Sequence, residues 1–329
     1  MLNKNKPKIF LIFASNFIGD TLIVNGLVQN IKENFMNSKV VFIVPEFLYP
    51  IAKYQYGVDD VIIFNQNKKN NILYLISFIL NFKYKFPYCS FSINSKERDL
   101  LIAKFICSKN IYASKVNRLA VRLLTNTNNN KRTAYKSMLE NYSAFIEPMI
   151  KKNINIKPII FNPPIIHSEN TDYVNEIKKH NEIITIIPSN GRNGSSKNMP
   201  ITDFSKLIDN IDKKYTILLI GKGDFYTEYV DVLKQKKKNF IDLTNKLSLL
   251  EVANIFKISK IILSIDTGLM HLSYSMGCKT IALFYEKSLT TLWAPDENIY
   301  NDVIVLSKNI NTELILNSIE RLEKNIHTT

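Results

Sequence analysis

Short apolar runs rich in Val, Ile and Phe recur along this chain, separated by longer stretches with helical spacing of apolar residues. In the first half the runs fall at residues 9–14, 40–44, 61–64 and 88–93, with a weaker one near Ile111. Helical segments are predicted at 21–35, 72–82, 98–107 and 134–149. The second half repeats the scheme at 183–188, 215–220, 240–243, 261–265, 280–284 and 303–306. Short β-branched runs alternating with helices predict parallel sheets covered on both faces. Residues 151–164, polar and then proline-containing, show no helical face and read as a linker. The expected architecture is α/β: two Rossmann-like, doubly wound domains facing across a cleft, with ligands at the carboxyl ends of the strands. The pattern places the domains at 1–155 and 156–311. A final helix within 312–329 has no strand after it and is expected to pack back toward the first domain.

Composition agrees with this picture and narrows the setting. A chain of 329 residues suits two domains, and 46% hydrophobic with 22% charged residues is a globular balance. Lys4, Lys6 and Lys8 lead straight into the first strand with no cleavage site, so no signal peptide is expected. The longest apolar run, 72–82, is about half of what a membrane span needs. Cys89, Cys107 and Cys278 are scattered and odd in number, which argues against a disulfide framework or metal cluster and for a reducing, cytoplasmic setting.

Charge is unevenly divided. Residues 1–150 hold 20 Lys and Arg against 9 Asp and Glu, a net of +11, whereas the remainder is close to balanced at +3. An anionic partner such as a phosphorylated lipid surface or nucleic acid would be drawn to the first half. A Lys- and Asn-rich composition decorating solvated faces is the equal alternative. No recognisable nucleic-acid module is present, and no nucleic-acid partner is expected.

Two strand-to-helix junctions hold the candidate chemistry. At the first, residues 14–20, Asp20 stands where a carboxylate either caps a helix or projects toward a ligand; taken alone, capping is the ordinary reading. No GxGxxG follows this strand, and the Gly221-Lys222-Gly223 turn is too short to support a dinucleotide site. At the second, a buried strand ends in Asp266-Thr267-Gly268 and a helix starts at once, with His271 in its first turn. The helix start offers unpaired N–H groups and a positive dipole end to a phosphate. Asp266 is then an acceptor for sugar hydroxyls, and His271 a hydrogen-bonding group for phosphate or sugar. The alternative is an aspartate cap with a satisfied histidine behind it. His167, His180 and His327 fall in linker, helix and tail contexts with no such pattern.

Taken together, residues 243–256, the Asp266-Thr267-Gly268-Leu269-Met270-His271 block, the 280–284 strand and Trp293-Ala294-Pro295 resemble glycosyltransferase family 9, the ADP-heptose:lipopolysaccharide heptosyltransferases. Ile18-Gly19-Asp20 matches that family's N-terminal signature, and Lys197-Asn198-Met199-Pro200 its Lys-x-Trp-Pro element. Departures fall at Met199 where Trp is usual, Gly26 for a frequent Pro, Lys279 for Pro and Tyr285 for Gly. The resemblance implies a GT-B enzyme that performs inverting, metal-independent transfer from a nucleotide sugar, ADP-heptose in the family, to a lipid-linked saccharide at the inner membrane surface. It implies no cofactor. By the same resemblance Asp20 is the general base, and Ser195, Ser196, Lys197, Leu247, Asp266, Thr267, Gly268, Leu269 and His271 form the donor site. Asp224 or Glu228 is the ribose contact. Trp293 either shapes the donor pocket or packs in the core. Rival readings are another sugar nucleotide, a sugar-nucleotide epimerase, or a non-catalytic nucleotide-sugar-binding protein.

Overall fold

A computed structural model describes residues 6–94, 96–113, 137–150, 153–165, 177, 179–180, 182–192 and 195–324. The chain divides into two compact units, Met1–Asn162 and Pro163–Thr329.

The first unit is a five-stranded parallel sheet of β1 (Lys8–Phe13), β2 (Ser38–Val44), β3 (Asp60–Ile63), β4 (Cys89–Ser92) and β5 (Ile111–Ala113), in the order β3-β2-β1-β4-β5. After β1 the chain winds to one side through β2 and β3, then crosses to the other side with β4. The crevice between β1 and β4 is therefore the switch point of the sheet. Its helices are α1 (Ile18–Ile23), α2 (Asn25–Asn34), α3 (Tyr49–Lys53), α4 (Ile72–Leu80), α5 (Glu97–Phe105) and α6 (Met138–Ser143). Leu11, Phe13, Val41 and Ile43 of the strands and Leu100, Ile102 and Ala103 of α5 share one buried cluster.

One long helix was expected at 21–35, and two are found. The helical turn begins earlier, at Ile18, and breaks at Val24 before α2. Gly26 lies under α6: a Cβ there would come within 2.3 Å of Ser143 Oγ and 2.7 Å of Leu139 Cδ1. Close packing explains why glycine replaces the bulkier residue the family pattern leads one to expect. The helix predicted at 134–149 is described only from Ser137, which caps α6 in a reciprocal box with Glu140; its earlier part lies outside the described residues. Helix α3 carried no periodicity long enough to be predicted.

The second unit is a six-stranded parallel sheet of β6 (Ile183–Ile187), β7 (Thr216–Leu219), β8 (Phe240–Asp242), β9 (Ile261–Ile265), β10 (Thr280–Leu283) and β11 (Val303–Leu306), ordered β11-β10-β9-β6-β7-β8. Here the switch point lies between β6 and β9. Helices α7 (Glu147–Ile150) of the first unit and α8 (Ile201–Asn210), α9 (Thr227–Gln235), α10 (Leu249–Ile258), α11 (Gly268–Ser275), α12 (Lys287–Trp293) and α13 (Thr312–Glu323) of the second complete the set. Phe204, Leu207 and Ile208, spaced three and four apart on α8, pack against Ile184, Ile186, Ile217 and Leu219 of the sheet. Ile315, Ile319 and Leu322 of α13 join this same core. Lys279 donates from Nζ to the Leu322 carbonyl at 2.7 Å, closing the end of α13. Among the described residues, no helix is long and apolar enough to cross a membrane.

Candidate active site

Asp20 sits at the third position of α1, not at its cap; the cap is Phe17, which offers no side-chain acceptor. The carboxylate instead accepts from side chains. Ser15, just past the end of β1, donates from Oγ to Oδ2 at 3.2 Å, and the Tyr142 hydroxyl of α6 donates to Oδ1 at 2.5 Å. Asn94, just past the end of β4, donates from Nδ2 to Ser15 Oγ at 3.0 Å. The relay Asn94–Ser15–Asp20 thus spans the β1/β4 switch point. Tyr142 is buried, so its hydroxyl is delivered from a fixed ring. Lys96, at the cap of α5, reaches Asn16 Oδ1 at 3.1 Å, and burial lowers its pKa. Ser15 lies within the junction singled out from sequence. Tyr142, 122 positions from Asp20, and Asn94 carried no sequence signal.

In the second unit the loops leaving β6 and β9 meet at the other switch point. Lys197 places Nζ 2.6 Å from Asp266 Oδ2. Asp266 is buried, while the lysine retains 30% side-chain exposure. The lysine is held by its own loop. Ser195 Oγ accepts from Asn190 Nδ2 at 2.9 Å, and Asn198 Oδ1 accepts from the Asn190 N–H at 3.0 Å. Met199 then turns inward, 1% exposed, with its carbonyl accepting from the Tyr229 hydroxyl at 2.6 Å. A thioether fills this core position in place of the indole usual in the family. Ser196 donates to Glu286 Oε2 at 2.8 Å, tying the loop to the start of α12.

Thr267, not Asp266, caps α11, accepting from the Met270 N–H. The Gly268 and Leu269 amides open that helix and have no carbonyl one turn back to bond. His271 is buried, with Nδ1 2.7 Å from the Tyr274 hydroxyl. Burial pushes its pKa down to about 4; the Asp266 charge opposes that shift and the Lys197 charge adds to it. The imidazole is therefore neutral at neutral pH and offers hydrogen bonds, not charge. Trp293 stands edge-on to it, ring centroids 6.2 Å apart.

A glycine-lined contact shapes the neighbouring loops. Gly191 has φ +78°, and a Cβ there would lie 2.0 Å from the Lys222 carbonyl oxygen. Gly223, φ +125°, meets Gly191 from the other side, and Gly221 seats the Tyr226 ring. The Gly221-Lys222-Gly223 turn thus serves backbone approach between the loops after β6 and β7. Asn245 accepts from the Gly223 N–H at 2.8 Å, bringing the loop that holds Leu247 alongside. Leu247 is half-buried, and Asp224 and Glu228 are exposed. Among the described residues, no hydrogen bond or ion pair joins these three to Lys197, Asp266 or His271. Tyr285 is half-buried against the core. His180 lies near Thr216, Nδ1 to Oγ1 2.9 Å, whereas His167 and His327 lie outside the described residues. Among the described residues, no three His, Cys, Asp or Glu side chains are grouped to hold a metal ion.

The sequence pattern of glycosyltransferase family 9 (heptosyltransferase) matches residues 107–314, well over half of the chain and the whole Lys197–His271 site. The chain belongs to this family. Asp20 lies before the matched stretch. Among solved structures, Escherichia coli ADP-heptose lipopolysaccharide heptosyltransferase II is similar with a TM-score of 0.76 at 16% identity, covering 96% of this chain and 98% of that one. A family 9 glycosyltransferase from Veillonella parvula gives 0.77 at 17% identity, covering 96% and 97%. The E. coli heptosyltransferase WaaC, solved with ADP, gives 0.70 at 14%, covering 96% and 99%. At these identities the likeness shows the fold: two Rossmann-like domains of the GT-B class. No curated protein matches the sequence.

Proposed function

We propose that this glycosyltransferase transfers a heptose from ADP-heptose to a hydroxyl of an anionic, lipid-linked saccharide of the lipopolysaccharide core, by metal-independent inversion, at the cytoplasmic face of the membrane. The observation that carries this reading is the Lys197–Asp266 pair at the β6/β9 switch point, beside the opening amides of α11. An ion pair set beside the first N–H groups of a helix suits a diphosphate, because the anion adds to a cation already held in place. The E. coli WaaC structures with ADP and with ADP-2-deoxy-2-fluoro heptose support an ADP-linked donor.

In this mechanism the second domain (156–311) binds the donor and the first (1–155) the acceptor. Lys197 and the Gly268 and Leu269 amides take up the negative charge that grows on the departing ADP. Asp266 orients the lysine and accepts from sugar hydroxyls. Neutral His271, positioned by Tyr274, adds a hydrogen bond without competing for the anion. Leu247 contacts the base, and Asp224 or Glu228 the ribose. At Asp20 the acceptor O–H loses its proton to the carboxylate as its oxygen bonds to the anomeric carbon and the bond to phosphate breaks. Ser15 and Tyr142 hold the carboxylate in one rotamer. Lys96 supplies positive charge for a phosphorylated acceptor.

The test is calorimetry with ADP, GDP, UDP and CMP, followed by turnover with the matching sugar donors, with and without EDTA. Tightest binding of ADP, heptose transfer unaffected by EDTA, and at least about a tenfold loss of ADP affinity in Lys197→Met are expected. Preference for another nucleotide, or turnover that EDTA abolishes and magnesium restores, overturns the assignment.

A further inference from the structure

Helix α4 is apolar all round, yet only half of it is covered by the described residues. Tyr74, Leu75, Phe78 and Ile79 face inward and pack on the first unit's core. Ile72, Leu73, Ile76 and Leu80 occupy the opposite arc and are exposed, Leu73 to 78% and Ile72 to 72%. A soluble surface helix normally turns charged or polar residues outward; here the outer arc offers only Ser77 as a polar side chain. Neighbouring α5 adds exposed Leu101 and Phe105. Phe86, in the loop between them, is 76% exposed and takes a left-handed φ of +56°, uncommon for an aromatic residue. Its N–H donates to the Ile106 carbonyl at 2.9 Å, which fixes it beside the end of α5.

The charged residues that flank α4 along the chain are all lysines. Residues 61–96 contain five lysines and no Asp or Glu. Lys68 and Lys69 lie just before α4, and Lys83 and Lys85 just after it, all exposed. Lys85 donates to the Ile79 carbonyl, closing the helix, while Lys83 pairs with Asp60 at 3.0 Å. A nine-residue helix is too short to span a bilayer, but an apolar face framed by lysines is what an interfacial helix presents to anionic headgroups. A second copy of the chain is disfavoured as occupant, because pairing two such faces would oppose like charges.

We propose that α4, with Phe86 and Phe105, is the surface by which this protein docks on an anionic lipid bilayer, the aliphatic side chains entering the acyl boundary and the lysines meeting lipid phosphates. The inference does not rest on the proposed reaction, since binding is read without turnover.

The experiment is co-sedimentation of the full chain with phosphatidylcholine vesicles, with and without phosphatidylglycerol. Alongside it run Ile72→Gln/Leu73→Gln/Leu80→Gln and, separately, Lys68→Ala/Lys69→Ala. Wild type should partition onto the phosphatidylglycerol vesicles and much less onto phosphatidylcholine alone. The triple variant should lose at least about a hundredfold in partition, roughly fivefold or more per aliphatic group withdrawn. The double variant should lose about fivefold per lysine at low salt. The replaced side chains are solvent-exposed, so melting temperature should hold in both variants. Failure of wild type to bind, or equal binding by the triple variant, overturns the proposal. So does a wild-type dimer in sedimentation velocity that the triple variant converts to monomer, which would make the face a self-interface.

Discussion

Replacing Asp20 by Asn separates a proton acceptor from a structural carboxylate. The side chain keeps its shape, and its remaining carbonyl can still accept from Tyr142. The amide end turns toward Ser15 Oγ, which already receives Asn94 Nδ2 at 3.0 Å and the Phe17 N–H at 3.3 Å. Ser15 then loses an acceptor for its own proton. The loss is about one hydrogen bond to a charged group, roughly 1.5–3 kcal/mol, eased by the half-exposed setting of Asp20 toward about 1 kcal/mol. For a domain the size of the first unit, Met1–Asn162, that is a fall of about 2–4 °C in Tm. Loss of the general base costs turnover roughly two to four orders of magnitude, or about 3–5 kcal/mol in the barrier.

The two effects therefore differ severalfold in energy and appear in different assays. We expect Asp20→Asn to bind ADP like wild type, because every proposed nucleotide contact belongs to the second unit. Its kcat should collapse while its melting curve barely moves. Tyr142→Phe, which removes one donor and leaves the carboxylate, should retain measurable turnover with a smaller loss in kcat than in Asp20→Asn. Donor affinity from calorimetry, kcat from ADP release and Tm from scanning fluorimetry decide the matter. An Asp20→Asn enzyme within a few-fold of wild-type kcat refutes the reasoning, as does a matching collapse in stability.

Two further outcomes follow from the second unit. Because His271 titrates near 4 when folded and near 6.5 when unfolded, the unfolded chain takes up its proton first as pH falls. The stability tied to neutral His271 is thus intact above about pH 6.5 and lost between there and about pH 4, at up to about 1.4 kcal/mol per pH unit; urea melts of His271→Gln should show a shallower slope over that window, and an unchanged slope would exclude His271 as its source. Gly191→Ala should destabilise by more than about 2 kcal/mol, since it combines an unfavourable positive φ with a Cβ 2.0 Å from the Lys222 carbonyl; a melting temperature equal to wild type would show that the loops can part at no cost.

Local pattern determined most of the architecture. Both sheets, and the approximate place of every strand, follow from apolar runs such as Ile183–Ile187 and Ile261–Ile265, because strands buried on both faces leave an unbroken hydrophobic signature. The short motifs around Asp20, Lys197 and Asp266–His271 were legible for a related reason: each is a strand-to-helix junction, and its residues are near neighbours in the chain. What such motifs leave open is what each side chain touches. Taken alone, Asp20 reads as a helix cap, and a cap is the alternative reading of Asp266; in the fold Phe17 and Thr267 hold those positions, and the two carboxylates are released for Tyr142 and Lys197. Tyr142 reaches the Asp20 carboxylate, and Asn94 reaches Ser15 beside it, only because α6 packs closely against Gly26 and β4 pairs beside β1. The same holds for α4, whose composition reads as a buried helix. Only the packing of Tyr74, Leu75, Phe78 and Ile79 on the core reveals that its other side is the exposed one among the described residues, since periodicity cannot tell which half of a uniformly apolar helix the protein will bury.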